Sequence, residues 1–460
     1  MLQKKEMVAV LLSVFLLLSC SSKLNNETGL LKISDNHRFF ETQNHHPFFW
    51  QGDTGWLLFS KLNHKDAQLY LEDRQKKGFN VIQVMVIHSL GETDVYGDPA
   101  LINHDLSKPN LKVSGNADGN YWQNMDYVID LAAKHDIYIA LVPVWGSVVK
   151  SGKVSVAQAK SYATFLANRY KNKSNVIWMN GGDIPGSDSA DIWQTIGETI
   201  HQICPEQLIT FHPRGRTQSS TWFQRADWLS FNCFQSGHRN YLQDTSAGEL
   251  HYGEDNYKYV ISDYAKMPVK PTLDAEPSYE NIPQGLHDTT QPKWKSADVR
   301  RYAYWSVFAG AAGFTYGDNS VMQFHKSGDA VGAYGATADW KTAINDTGAS
   351  QMIYLKKLML SRDYLSRVPD ESIVVNQGTK YNYLAATRGK DYVFVYDFTG
   401  ENFSLNLKNF NYENLKTTWY NPRNGKSQET HHLRNHGIIQ FDPPGLTADG
   451  NDWVLVIDAV

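Results

Sequence analysis

"NVIWMNGGDIPG", Asn175–Gly186, followed by "DIWQTIGETIHQIC", Asp191–Cys204, is the stretch that decides the fold. Val176, Ile177 and Trp178 make an unbroken apolar run, the pattern of a strand covered on both faces. The run ends on Asn180, Gly181, Gly182 and Asp183, and an amphipathic helix pattern follows.

The same pairing recurs along the chain. "PFFWQGDTGW" precedes "HKDAQLYLEDRQKKG", where Ala67, Leu69, Tyr70 and Leu71 are apolar and Gly78 marks the stop. "FNVIQVMVIH" is followed, after a long insertion, by "NYWQNMDYVIDLAAKHD". "IYIALVPVWG" pairs with "SVAQAKSYATFLANRYKN", and "DWLSFNCFQSG" with "NYKYVISDYAKM". "PTLDAEPSY" pairs with "KSADVRRYAYWSVFAG", and "GFTYGD" with "GASQMIYLKKLML". "QLITFHPRG" has the poorest companion, since "RTQSSTWFQRA" is a weak helix. Eight strand and helix units in this order predict an α/β fold, a closed (β/α)8 TIM barrel over residues 31–365. In such a barrel the chemistry is built at the C-terminal ends of the strands. Asp53, His88, Trp145, Asp183, His212, Gln235, Glu276 and Tyr316 all fall at or just past a strand end.

From residue 366 to 460 the rhythm changes. "ESIVVNQ", "NYLAATRG", "DYVFVYDFTG", "FSLNL", "KTTWYNPRNG", "GIIQFDPPG" and "DWVLVID" read as seven short strands divided by Gly, Asn, Asp and Pro turns. They predict a small antiparallel β-sandwich. It carries no second set of clustered acids, so packing or glycan binding suits it better than a second active site.

At the other end, Lys4 and Lys5 precede an apolar run from Met7 to Leu18 and then "LLSC". That run is short for a membrane span and reads as a signal peptide over residues 1–20. "LLSC" resembles a bacterial lipobox, with Cys20 lipidated; a plain secretory signal with a chance cysteine is the alternative. Residues 21–30 form a tether, and the expected location is the cell envelope, anchored to the outer or inner membrane. Cys204 and Cys233 are then the remaining cysteines, read as two separate buried thiols.

Composition narrows the function. A net charge of −4 with no basic block argues against a nucleic-acid partner. Aromatic residues make up 13% of the chain, with 13 Trp and 25 Tyr. That excess suits stacking on sugar rings or a large aromatic core. Asp183 after the fourth strand and Glu276 after the seventh would face each other across one pocket. Paired carboxyl groups across a pocket are what glycoside hydrolysis requires. Either acid alone could be a helix cap or an ion-pair partner. Asp53 and Trp56 are candidates to bind hydroxyls and stack a ring, or a mere strand-ending turn. His88, His212 and Arg214 are candidates for hydroxyls or acidic sugar groups, or structural side chains; Trp145, Gln235, Tyr279 and Tyr316 complete the substrate-binding set. Asp274 shares Glu276's side of its strand and is the alternative to it, and Asp318 is a candidate cap. "HDLSKPN" and "ETHHLRNH" lack a companion cluster at the strand ends, so neither a metal nor a cofactor is expected.

"FFWQGDTGWLLF", "RQKKGFNVIQVMV", "WMNGGD", "DAEPSYE", "RRYAYWSVFAGAAGFTYG" and "TTWYNPRNG" resemble the bacterial apiosidase-like glycoside hydrolases, a DUF4038-type barrel followed by a sandwich that bears a collagen-binding label. The resemblance covers most of the chain after the tether. It implies a retaining hydrolase with Asp183 as acid/base and Glu276 as nucleophile, releasing apiose-linked side chains from rhamnogalacturonan II, a plant cell-wall pectin. Two alternatives remain: the same barrel acting on another plant or host glycan, and a surface glycan-binding lipoprotein without catalysis. The loop between Ser89 and Asn120 is long enough to reshape the pocket and so to choose the sugar.

Overall fold

A computed structural model describes residues 28–113, 119–245 and 250–460. The signal peptide, Cys20 and most of the tether lie outside the described residues.

The eight barrel strands are Trp50–Thr54, Val81–Met85, Tyr138–Val142, Val176–Ile184, Ile209–Pro213, Asn232–Gln235, Thr272–Asp274 and Gly313–Tyr316. Successive strands pair in parallel from the first to the fifth and from the sixth to the eighth. The eighth pairs with the first. At the remaining seam, Ser230 N–H donates to the Ile209 carbonyl at 2.8 Å and Thr210 Oγ1 to the Phe231 carbonyl at 2.7 Å, which brings fifth and sixth strands together. A short ninth strand, Thr217–Gln218, runs antiparallel to the sixth.

Alternation along the strands sorts their side chains into two cores. Val81, Ala140, Ile177 and Met179 belong to one cluster, whereas Ile82, Leu141, Val176 and Trp178 pack with the helices in another. The helices start where polar caps satisfy their free N–H groups. Asn63 caps His64–Lys76, while Asn120 with Gln123 and Ser155 with Gln158 form capping boxes on Tyr121–Lys134 and Val156–Tyr170. The unit after the fifth strand holds only the four-residue helix Ser220–Phe223, matching the poor helical pattern there.

A three-stranded antiparallel sheet, Leu31–Ile33, Phe40–Thr42 and Pro47–Phe48, precedes the barrel. The Phe40 ring lies 5.9 Å from Trp50 and 5.1 Å from Phe231, both beside strand N-termini. The sheet therefore plugs the bottom, and the opposite mouth stays open.

The C-terminal part has nine strands in two antiparallel sheets rather than seven. A six-stranded sheet takes Val368–Pro369, Ala385–Arg388, Tyr392–Asp397, Trp453–Ala459, Asn414–Asn421 and Lys426–Arg434; Val374–Val375, Phe403–Asn406 and Ile438–Phe441 form the other. The main omission from the sequence reading is Lys426–Arg434, "KSQETHHLR". It is an exposed edge strand with almost no buried side chain, so no alternation of apolar residues marks it. Buried ion pairs fasten this sandwich to the barrel: Arg300 holds Asp452 in a two-pronged contact at 2.9 and 2.8 Å.

Candidate active site

The four letters Asn-Gly-Gly-Asp have a geometric reason. Pairing between the fourth and fifth strands shifts register between Gly181 and Ile184, a bulge. Gly181, Gly182 and Asp183 take φ of 89°, 112° and 50° in succession. A Cβ on Gly181 would come within 2.7 Å of the His212 carbonyl oxygen, and one on Gly182 within 2.6 Å of the Trp145 ring. Only glycine fits either place. Asn180 secures the entry to the bulge: Oδ1 accepts from Gly181 N–H at 3.0 Å and Nδ2 donates to the Trp193 carbonyl at 2.7 Å. The bulge turns Asp183 into the open mouth of the barrel.

That mouth contains a cavity of about 360 Å³ whose wall includes Asp183, Glu276, Trp56, Trp145, Arg214 and Tyr279. Glu276 stands two residues past the seventh strand. Gln83 Nε2 donates to the Ala275 carbonyl at 2.8 Å, and Gly237 N–H donates to the Glu276 carbonyl at 3.2 Å. Its carboxylate sits between two imidazoles, with Oε2 3.2 Å from His212 Nε2 and Oε1 3.0 Å from His238 Nε2. His212 Nδ1 accepts from Asp183 N–H at 3.3 Å, so the ring proton is on Nε2, facing the carboxylate. Burial alone would raise the Glu276 carboxyl; the hydrogen bonds offered by His212 and His238 outweigh it and hold the group down at about 2. Asp183 goes the other way. Desolvation by the pocket wall, then the neighbouring Glu276 charge, push it up to about 6. The carboxyl group is still reached by solvent through the mouth, as a group that meets substrate must be.

Trp56 and Trp145 form an aromatic corner with ring centroids 5.4 Å apart, and both pack on His212. His88 and Gln235 also line the cavity. Three of the residues read from the sequence as substrate-binding lie elsewhere. Asp53 is fully buried below the mouth, where Arg74 Nε donates to it at 2.6 Å and the Tyr70 hydroxyl also donates. Tyr316 donates to Glu280 Oε2 at 2.6 Å, in the core. His212 is behind Glu276 rather than in the wall. In each case a strand-end position was legible, but not the partner that claims the side chain: an outer helix for Asp53, and the carboxylates of Glu276 and Glu280 for His212 and Tyr316. Asp274 is also enclosed: Ser236 Oγ and Asn256 Nδ2 donate to it at 2.7 and 3.1 Å, and burial pushes it up to about 7. Asp318 caps Asn319–Met322 by accepting from the N–H groups of Ser320 and Val321.

Asp53 therefore yields a prediction about stability. Asp53→Ala leaves Arg74 buried beside a missing charge, and a loss of about 3–5 kcal/mol is expected by denaturant unfolding. Retained stability with a raised KM would return Asp53 to the substrate site.

The sequence reading missed His238, Arg216, Arg239, His287 and Tyr334, all in the cavity wall. His238 had a visible signal, a histidine three residues past the end of the sixth strand. Arg216 had the same signal, three residues past the end of the fifth strand, whereas Arg239, His287 and Tyr334 come from long loops, where no periodicity assigns a direction.

The model of the family described as "Apiosidase-like, catalytic domain" matches residues 34–366. The chain belongs to the apiosidase-like family. A second family model, "Putative collagen-binding domain of a collagenase", matches residues 368–458. Among solved structures, a protein titled a glycoside hydrolase is 43% identical, with a TM-score of 0.90 over 94% of this chain and 97% of its own. A glycoside hydrolase family 5 protein from Bacteroides vulgatus ATCC 8482 is 40% identical, with a TM-score of 0.90 over 94% of each chain. No curated protein matches the sequence. The apiosidase-like chain is a glycoside hydrolase, and a carbohydrate is its substrate.

Proposed function

We propose that this glycoside hydrolase is a retaining apiosidase that removes apiose-linked side chains from rhamnogalacturonan II, with Asp183 as acid/base and Glu276 as nucleophile. The observation that carries the assignment of roles is the opposite bias of two carboxyl groups in one cavity. Glu276 is held ionised by His212 and His238, while Asp183 is pushed toward the protonated form. Groups driven apart in this way are suited to opposite tasks. In the first step a Glu276 oxygen attacks the anomeric carbon, the glycosidic C–O bond breaks, and Asp183 gives its proton to the leaving oxygen. In the second step Asp183 takes a proton from water, the water oxygen attacks the same carbon, and Glu276 is released as carboxylate.

The family's name supports apiose as the sugar. An exported, lipid-anchored enzyme, with Cys20 as its anchor, would meet this plant polymer outside the cytoplasm.

Incubation with rhamnogalacturonan II oligosaccharides, followed by NMR, is the test. The expected first product is apiose in the anomeric form of the bond cleaved. The opposite anomer would overturn the two-step mechanism, and release of a different sugar from a panel of glycans would overturn the substrate.

A further inference from the structure

The segment from His238 to Tyr241 is held from two sides. On the barrel side, the His238 carbonyl accepts from Gly285 N–H at 2.7 Å and Trp294 Nε1 at 3.2 Å, and Asn240 Nδ2 donates to Gln284 Oε1 at 2.7 Å. The other side is made by the C-terminal sandwich. The Tyr381 hydroxyl donates to Glu254, at 3.0 Å from Oε1 and 3.1 Å from Oε2. Glu254 Oε1 accepts from Tyr241 N–H at 3.3 Å, three residues beyond His238. The Tyr241 ring lies 5.7 Å from that of Tyr381, and Lys380 Nζ sits 5.0 Å over it. Nearby, Tyr383 stacks on Tyr257 at 3.7 Å, with the rings 4° from parallel.

Arg301, from the barrel helix Ser296–Phe308, completes the junction. It donates to Glu254 Oε2, and its guanidinium lies 4.6 Å from the Tyr381 ring and 4.9 Å from Phe398. Arg301 and Glu254 are both almost wholly buried. A buried ion pair capped by an aromatic ring in a dry setting allows little play. The segment it grips also carries Arg239, in the cavity wall, and Asp244, whose Oδ1 lies 3.2 Å from the Arg216 guanidinium.

We propose that Tyr381 of the sandwich is a positioning residue for the active site, acting through Glu254 and Tyr241 to set His238 against Glu276, so that the C-terminal domain is a working part of the catalytic unit. The inference rests on the reading of Glu276 as nucleophile. Arg301 and Glu254 both belong to the barrel; the sandwich adds the rings of Tyr381 and Phe398 against Arg301, and the Tyr381 hydroxyl supplies its hydrogen bond to Glu254. Tyr381→Ala removes both the ring and the hydroxyl; Tyr381→Phe removes only the donor to Glu254 and keeps the ring against Arg301 and Tyr241.

The experiment uses the full chain labelled with 15N-histidine, the His238 ring signal being assigned by its disappearance in His238→Gln. In Tyr381→Ala the His238 resonances are expected to shift. Turnover of a rhamnogalacturonan II oligosaccharide is expected to fall roughly tenfold to a hundredfold, the range for a displaced active-site group. A weakened His238 contact releases Glu276 to a higher pKa, so the acid limb of kcat/KM should move to higher pH. Tyr381→Phe should fall between wild type and Tyr381→Ala in all three. Unchanged His238 signals with an unmoved acid limb in Tyr381→Ala would overturn the proposal, even if stability and overall rate decline. Loss of the nucleophile reading would look different: Glu276→Gln would keep its turnover while the His238 signals still responded to Tyr381.

Discussion

Glu276→Gln is expected to lower turnover by about 10⁴-fold or more, the scale set by removing a covalent nucleophile, while sugar binding persists. The side chain keeps its shape and its place in the wall, but an amide does not attack the anomeric carbon. The substitution also has a structural cost. Two imidazole N–H groups face the two oxygens of Glu276, and an amide accepts through one oxygen only. His212 cannot turn its proton away, because its other nitrogen already accepts from Asp183 N–H. Either the His238 N–H is set against the NH₂ group, or the ring moves its proton to Nδ1, which has no hydrogen-bond partner among the described residues; both leave a buried donor unsatisfied, and a loss of about 1–3 kcal/mol is expected. Calorimetric titration with an oligosaccharide and single-turnover kinetics measure the two effects separately. A variant with a near-wild-type rate would remove Glu276 from the role and make Asp274 the next residue to test, although its enclosure by Ser236 and Asn256 argues against direct contact with substrate.

Asp183→Asn is expected to slow hydrolysis of natural linkages by roughly 10²–10⁴-fold, the usual contribution of a general acid. Glycosides with a good leaving group should lose far less in bond cleavage, because their departure needs little protonation. Equal losses on both classes would count against an acid role. The pH profile gives an independent check. Productive enzyme has Asp183 protonated and Glu276 ionised, so kcat/KM should fall as pH rises through about 6, the value to which Asp183 is pushed. The acid limb should follow Glu276 at about 2. Neutralising Glu276 removes a negative neighbour, so the Asp183 carboxyl should titrate lower in Glu276→Gln, as 13C NMR of the aspartate would show. An unmoved Asp183 would mean that the two carboxyls do not sense each other.

The order of elements in the barrel, the placing of Asp183 and Glu276 at the mouth, and the change of architecture near residue 366 are written in local sequence. Each depends on short-range physics: unbroken apolar runs for strands covered on both faces, caps such as Asn63 and Asn120 for helix starts, and glycines where the backbone must turn left-handed. Pattern stops being informative where nothing periodic is buried, which is why the exposed strand Lys426–Arg434 escaped notice. Tertiary structure alone decided which strand-end residues meet the cavity. Asp53 and Asp183 look alike in sequence, each an acid after a buried run, yet Arg74 and Tyr70 claim the first, and a three-residue left-handed bulge delivers the second to the pocket. It also decided the protonation bias of the pair. Glu276's share of that bias comes from His212 and His238, which are 26 residues apart in the chain and reach its carboxylate from different strand ends, and Asp183's share comes from desolvation and the charge of Glu276. A pKa depends on distance and dielectric between groups far apart in the chain, and sequence order carries neither.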